Sequence, residues 1–540
     1  MKTSLAYPGL VKVVPGFNYI TVPELLRQKA TECGDMPYIL FEDDSWTFRQ
    51  VFESANRIAN GLISLGVKKG DRVAVILPNC PEHVFAFFGV VTSGAVELPV
   101  NIDFRGKELA YVLEHAETNV IITKTDLLPH ILEVWKLGPG RSIVCIGGSD
   151  VQGVISYDDF VEKSSLRYPN VALDVDDPAG LIYTSGSTGF PKGALISHRY
   201  KVVFGAITDW SYRLSPRDRI MLITPLFHGV ALWHGIMGAL YMGLPCAVIS
   251  RFSATNFWEQ ARRYQATIVY AVGAIPAMLF NQPPDPRDRD HSVRMIWAFM
   301  TPGRILEAFE KRFNTTIYDG LGQTECGRVY INYPPIRKPG SLGLPYEFSD
   351  TKIVDDDDNE VPLGEVGEIC VRAPSIMLGY FKNPEATEQA LKGGWLHTGD
   401  NGRMDEDGFV WFTDRKKDVI RRRGKVISSF EVQDIIGAHP KVLEAACIAV
   451  PSDLAEEEIL AAVVLRPGVI PPEPEELVAW CKERLAYYKV PRYWIYRDRL
   501  PKTPSLRIQK FILRQEIKVD DAVEIPVTKE GEEIRRRVKA

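Results

Sequence analysis

Closely spaced cysteines are missing from this sequence. The eight present, Cys33, Cys80, Cys145, Cys246, Cys326, Cys370, Cys447 and Cys481, never fall within four residues of one another. That spacing excludes a compact CxxC metal site and offers no disulfide scaffold. It favours reduced thiols and a cytoplasmic location. Long hydrophobic runs are missing too. A membrane-spanning helix needs roughly 18–20 apolar residues, and the longest stretch, "HVFAFFGVVTSGAVELPV" from His83, is interrupted by Ser, Glu and Pro. The opening "MKTSLAYPGLVKVVPGFNY" carries prolines and polar residues where a signal peptide needs an apolar centre, so no signal peptide and no membrane span are expected. A net charge of −5 gives no reason to expect nucleic acid or an anionic membrane as a bulk partner. No repeat period or low-complexity tract occurs. What remains, with 45% hydrophobic and 25% charged residues over 540 positions, is a globular chain able to bury a large core.

The first part of the chain alternates helix and strand patterns. "TVPELLRQKA" opens a helix, with Thr21 and Glu24 spaced as a capping box. "TFRQVFESANRIANGLISLGV" has apolar residues at helical spacing and leads to the strand-like "RVAVIL". Helical patterns over 82–93 and 106–116 lead to "AVELPV" and "NVIITK". Such alternation predicts an α/β fold with layered, mostly parallel sheets. After about residue 340 the patterns shorten. "TKIVDDDDNEVPLGEVGEICVR" reads as two strands around an acidic, solvated turn, and "GRMDEDGFVWFTD" as a hairpin. From Asp414 the chain turns basic, and a smaller α+β unit follows, its first helix starting after Ser428. These shifts predict an N-terminal domain over 1–413 and a C-terminal domain over 414–540.

One loop carries a chemical signal. In "LIYTSGSTGFPKGALISH", residues 181–198, a short strand ends at Thr184. Glycines, hydroxyls and Lys192 follow. Gly186 and Gly189 let successive N–H groups turn toward an anion. Thr184, Ser185, Ser187 and Thr188 add hydroxyls, and Lys192 adds a positive charge. The spacing is not that of a GxxxxGK[ST] nucleotide loop, because Gly193 follows the lysine. By itself the stretch fits either a phosphate cradle or a flexible Gly/Ser surface loop.

The chain around it supplies more. This loop, "PLFHG" (225–229), "YDGLGQTE" (318–325), "GWLHTGD" (394–400), "DRKKDVI" (414–420) and "LPKTPSLRIQK" (500–510) stand in the order of the signature motifs of the adenylate-forming superfamily. The resemblance covers about residues 20–515. Stretches such as "FSATNFWEQARRYQATIVYA" look most like crotonobetaine/carnitine-CoA ligases and related carboxylate-CoA ligases. The resemblance implies a large N-terminal domain with a small β-barrel-like part and a mobile C-terminal domain. It implies an acid–CoA ligase that couples ATP, Mg²⁺ and coenzyme A to a small carboxylic acid. The reaction passes through an acyl-adenylate.

The resemblance also implies roles for residues. Thr184, Ser185, Gly186, Ser187, Thr188, Gly189 and Lys192 grip the ATP phosphates, with Lys192 catalytic. Asp319, Gly320, Leu321, Gly322, Gln323 and Thr324 line the adenine, where Leu321 replaces the usual aromatic. Glu325 and Thr188 hold Mg²⁺, Asp400 the ribose hydroxyls, and Arg415 the nucleotide. His228 gates between the acid and the thiol. Gly229, Val230, Trp233, Gly273, Ala274, Trp297, Met300 and Gln323 form the acyl pocket. Its two tryptophans are either a cage for a quaternary ammonium or ordinary core aromatics. Arg423 and Gly424 face CoA, with Arg423 where relatives have a second glycine. Arg507 stands where the family places its catalytic lysine, and Lys510 is a rival cation. Two alternatives stay open at this stage: transfer to another thiol acceptor, and a nucleotide- or acyl-binding pseudoenzyme. A homodimer is compatible with the sequence.

Overall fold

The computed structural model describes residues 11–12, 14–184, 191–212, 214–272, 274–298, 301, 303–332, 336–346, 348–422, 425–451, 457–503 and 508–525. Two compact units divide the chain. One is Met1–Thr351 with Cys370–Thr398; the other is Lys352–Ile369 with Gly399–Ala540.

The first unit holds two large sheets. Short, β-branched strands with no polar face form parallel sheets covered on both sides by helices. The eight-stranded sheet runs Gly379–Tyr380, Lys192–Ser197, Pro178–Thr184, Val96–Pro99, Arg72–Ile76, Val120–Lys124, Ser142–Ile146 and Val154–Ser156. It is parallel except where Lys192–Ser197 pairs antiparallel with both its neighbours. The seven-stranded sheet runs Thr316–Tyr318, Met295–Trp297, Ile268–Tyr270, Ile220–Leu222, Cys246–Val248, Pro37–Phe41 and Asp44–Thr47, and only the last two strands are antiparallel. Short antiparallel pairs, Gly322–Gln323 with Gly327–Arg328 and Tyr330–Ile331 with Leu344–Pro345, follow.

Local signals explain the elements. Thr21 caps the helix Val22–Glu32, and Glu24 accepts the Thr21 N–H at 2.8 Å, completing the capping box. The long apolar stretch from His83 divides into the helix Pro81–Thr92 and the strand Val96–Pro99, and this strand is buried throughout. Among the described residues no helix is long and apolar enough to cross a membrane. All eight cysteines are free.

One charged pair sits inside this unit. Lys201 Nζ lies 2.9 Å from Glu97 Oε2, with neither side chain exposed. Burial pushes the Glu97 carboxyl up and the Lys201 ammonium down, and each charge offsets part of the other's shift. The strand Pro178–Thr184 makes room for the lysine at Gly180, where a Cβ would lie 3.0 Å from Lys201 Cε and Nζ.

The second unit is built on the sheet Val442–Pro451, Glu457–Leu465, Tyr493–Tyr496 and Val523–Glu524. The helices Ser429–Gly437 and Pro474–Lys482 supply Val432, Ile436, Leu477 and Val478 to its core with Trp494. Ser428 caps the first helix through the Glu431 N–H, 3.0 Å away. The Glu431 carboxylate turns to Lys489 instead of closing a capping box. The acidic run is a turn: Asp355 Oδ1 accepts the N–H groups of Asp357 and Asn359, each at 2.9 Å.

Candidate active site

Four neighbouring parallel strands of the seven-stranded sheet deliver the predicted residues of the first unit. Beyond Leu222 comes the turn that holds His228; beyond Tyr270, the helix opened by Ala274; beyond Trp297 and Tyr318, the segments with Thr301 and Asp319–Glu325. In open α/β sheets ligands bind off the carboxyl ends of strands. Thr184 likewise ends a strand of the other sheet.

The glycine-rich loop leaves and re-enters the sheet through an antiparallel pair of strands. Thr184 pairs with Lys192 across antiparallel strands, so Lys192 opens the return strand. Ser185, Gly186, Ser187, Thr188 and Gly189 lie outside the described residues. Lys192 Nζ sits 5.1 Å from the centre of the Tyr380 ring. The Tyr380 hydroxyl donates to Glu325 Oε1 at 2.9 Å. Burial, reinforced by the Glu325 charge, holds the Tyr380 phenol well above its usual pKa, so it stays a donor. A cation, a phenol and a carboxylate are thus gathered at the root of the loop. Tyr380 carries no motif signal in the sequence and was missed there.

The segment 319–325 is held by side-chain and backbone hydrogen bonds. The Asp319 carboxylate accepts from the N–H groups of Gly320 at 2.7 Å and Thr301 at 3.1 Å. Gly320 must be glycine, because a Cβ would fall 2.5 Å from the Tyr330 carbonyl oxygen. Leu321 is 2% exposed, and its carbonyl accepts from the Val329 N–H. Gln323 Nε2 donates to the Thr398 carbonyl at 2.9 Å, and the Thr324 carbonyl accepts from the buried Tyr200 hydroxyl at 3.1 Å. Gly322 pairs with Arg328 across the short hairpin that follows.

Beyond the strand Ile220–Leu222, His228 Nδ1 accepts the Val230 N–H at 3.2 Å, which leaves the ring proton on Nε2. Burial lowers the imidazole pKa to about 4, so the ring is neutral at pH 7. Val230–Ile236 is a π-helix, a form concentrated at functional sites. It carries Trp233 against Tyr200 and Phe204, with ring centres 4.9 and 5.5 Å apart. Gly229 is required here as well: a Cβ would sit 2.5 Å from the Trp233 ring. Trp297 ends its strand against His234, 4.6 Å between ring centres. Gly273 and Met300 lie outside the described residues. Phe204, His234 and Arg328 join this cluster without having been anticipated; as isolated aromatic and charged residues they carry no spacing signal.

In the second unit, Asp400 faces Arg415 on paired strands, with Oδ1 and Nε 3.4 Å apart and Asp400 3% exposed. Asp414 Oδ2 accepts from the Ser429 N–H, and from the Ser429 hydroxyl at 2.7 Å. That hydroxyl accepts from Lys510 Nζ at 2.6 Å. Lys416 reaches Asp356 at 2.9 Å and Glu368 at 3.1 Å, and Arg514 reaches Asp418 at 2.8 Å. Arg423, Gly424 and Arg507 lie outside the described residues. Lys510 is committed to the Asp414–Ser429 network.

Among the described residues, no group of three or more His, Cys, Asp and Glu side chains is placed to hold a metal ion. A lone carboxylate such as Glu325 fits Mg²⁺, which takes one or two carboxylates and completes its shell with phosphate oxygens and water.

The sequence profile of the AMP-binding enzyme family matches residues 26–381, and that of the AMP-binding enzyme C-terminal domain matches 431–507. A crotonobetaine/carnitine–CoA ligase of Salmonella paratyphi B is 33% identical over 497 residues, covering 88% of this chain and 95% of the relative. Among solved structures, an anthranilate CoA ligase in complex with anthranoyl-AMP aligns with a TM-score of 0.86 at 29% identity, over 92% of this chain and 97% of that one. An o-succinylbenzoate CoA synthetase from Bacillus subtilis in complex with its acyl-adenylate intermediate aligns with a TM-score of 0.81 at 26% identity, over 92% and 98%. The chain belongs to the AMP-binding enzymes. Its activity is that of an AMP-forming acid–thiol ligase, with ATP and CoA as its substrates.

Proposed function

We propose that the residues gathered at the strand ends carry out acyl-CoA synthesis in two steps. A carboxylate oxygen of the acid attacks the α-phosphorus of ATP, and pyrophosphate leaves. The CoA sulfur then attacks the acyl carbon, and AMP leaves. The first step brings two anions together, so catalysis is mainly positioning and compensation of charge. Lys192, with Thr184, Ser185, Gly186, Ser187, Thr188 and Gly189, holds the β- and γ-phosphates. Glu325 and Thr188 hold Mg²⁺, which supplies positive charge to the phosphates. Asp319–Thr324 line the adenine, Asp400 takes the ribose hydroxyls, and Arg415 contacts the nucleotide. Neutral His228 gates the route between acid and thiol. Arg507, in the family's lysine position, bridges acyl carboxylate and α-phosphate; guanidinium keeps its charge and suits both oxyanions. Arg423 and Gly424 face CoA, and a hinge at Asp414 lets the domains over 1–413 and 414–540 serve both steps. The free cysteines fit a cytoplasmic location.

The observation that carries this reading is the Lys192–Tyr380–Glu325 cluster at the root of the loop. Tyr380 keeps Glu325 oriented without neutralising it. The test is pyrophosphate and AMP release with a panel of carboxylic acids, with and without CoA. Acid-dependent pyrophosphate release and CoA-dependent thioester are expected. Thioester formation on a carrier protein but not on CoA would move the reading to another acceptor. ATP binding without pyrophosphate release from any acid would make the chain a pseudoenzyme.

A further inference from the structure

The acyl-side cluster contains a buried positive charge. Arg328 is 1% exposed. Its Nη2 donates to His234 Nδ1 at 2.7 Å, and its Cζ lies 5.3 Å from the centre of the Trp297 ring. Arginine always donates and keeps its proton, so His234 Nδ1 is an acceptor here and the imidazole is neutral. Burial first, then the Arg328 charge, drives the His234 pKa well down. Two consequences follow. The cation–π site that Trp297 offers is filled by the chain's own guanidinium. A second cation brought into this cluster would meet a like charge in a medium that screens poorly.

Trp233 adds an independent observation. It is 3% exposed, and among the described residues its indole N–H has no hydrogen-bond partner. A buried donor without an acceptor costs free energy, and an acceptor brought in by a ligand recovers it. Phe204 joins the two features: its ring lies 5.5 Å from Trp233 and 4.4 Å from His234.

We propose that Arg328 is a specificity-determining residue and that the acid bears an oxygen acceptor on its acyl portion, a hydroxyl, carbonyl or second carboxylate, while quaternary ammonium acids are excluded. The proposal rests on reading Trp233 and Trp297 as walls of the acyl pocket. It decides between the two roles open to those tryptophans, against the ammonium cage.

The test compares kcat/KM for pyrophosphate release among acids of matched length. One ends in methyl, one in trimethylammonium, one in carboxamide and one in carboxylate. The parent protein is expected to favour the best oxygen-bearing acid over the trimethylammonium acid by about 100-fold or more, since like-charge juxtaposition is strongly disfavoured. Arg328→Met should shrink that ratio at least tenfold, and Arg328→Lys should largely keep it. The comparison is a ratio within one protein, so partial loss of folded enzyme cancels. The carboxamide and carboxylate arms separate a neutral acceptor from an anion. Equal use of the trimethylammonium acid by the parent overturns the proposal. So does a ratio unchanged in Arg328→Met while Trp297→Ala shifts it, an outcome that leaves the pocket reading standing. No turnover with any acid overturns both the pocket reading and this one.

Discussion

Each unit encloses a charged pair, but the two pairs are completed differently. In the first, Lys201 meets Glu97 at 2.9 Å with neither side chain exposed, and Lys201 Nζ lies over the Phe87 ring, 4.4 Å from its centre. In the second, Arg422 Nε meets Glu458 Oε2 at 2.7 Å, Arg422 also donates to the Tyr488 and Val490 carbonyls, and Arg492 carries the network on from Glu458 to the partly exposed Glu524. Buried pairs are costly to break singly, whereas exposed pairs are worth about 0–1 kcal/mol each.

The largest effect should come from the first unit's pair. Lys201→Met strands the Glu97 carboxyl and should cost about 3–5 kcal/mol of stability. Adding Glu97→Leu should restore most of it. Denaturant unfolding reads both, and a loss below about 1 kcal/mol in the single variant would show that the pair is not enclosed.

Next come the loop-root groups. Lys192→Ala and Glu325→Ala should each slow pyrophosphate release on the order of 100-fold, the usual consequence of removing one well-placed electrostatic group. Their unfolding midpoints should barely move. Parental rates in both variants would remove the ATP assignment from this loop.

Asp414→Pro sharpens the contrast from the other side. It fixes φ and removes the acceptor that Ser429 uses. Thioester formation from supplied acyl-adenylate should fall about tenfold more than adenylate formation. Equal losses, measured in separate assays, would argue against a hinge at this position.

The smallest effect concerns pH. His83 and His198 are buried, with pKa values lowered to about 4 and about 3, chiefly by burial. The unfolded chain binds protons on them below about pH 6.5, and the folded chain does not until much lower. Their contribution is therefore present above pH 6.5 and declines as pH falls toward 4. His83→Gln should flatten the dependence of the melting temperature over that window.

Much of this was legible beforehand. Alternating apolar strands and amphipathic helices announced the parallel sheets, and Thr21 with Glu24 marked a helix start to the residue. The ordered motifs announced the family. Tyr380, Phe204, His234 and Arg328 were not legible, because their partners are distant in sequence: Tyr380 meets Glu325 across 55 positions, and Arg328 meets His234 across 94. No local period encodes such meetings. The Lys510–Ser429 contact was illegible for the same reason, since the two stand 81 positions apart.

The π-helical turn Val230–Ile236 has a consequence for how pockets of this kind diversify. Such a turn holds one residue more than an α-helical turn. Removing a single residue from it lets the segment relax into the α-helix Met237–Met242 that continues it. The residues before the deletion then rotate by about 100° about the helix axis. A change in chain length, with no side chain exchanged, would swing Trp233 off Tyr200 and redraw the wall around the acid.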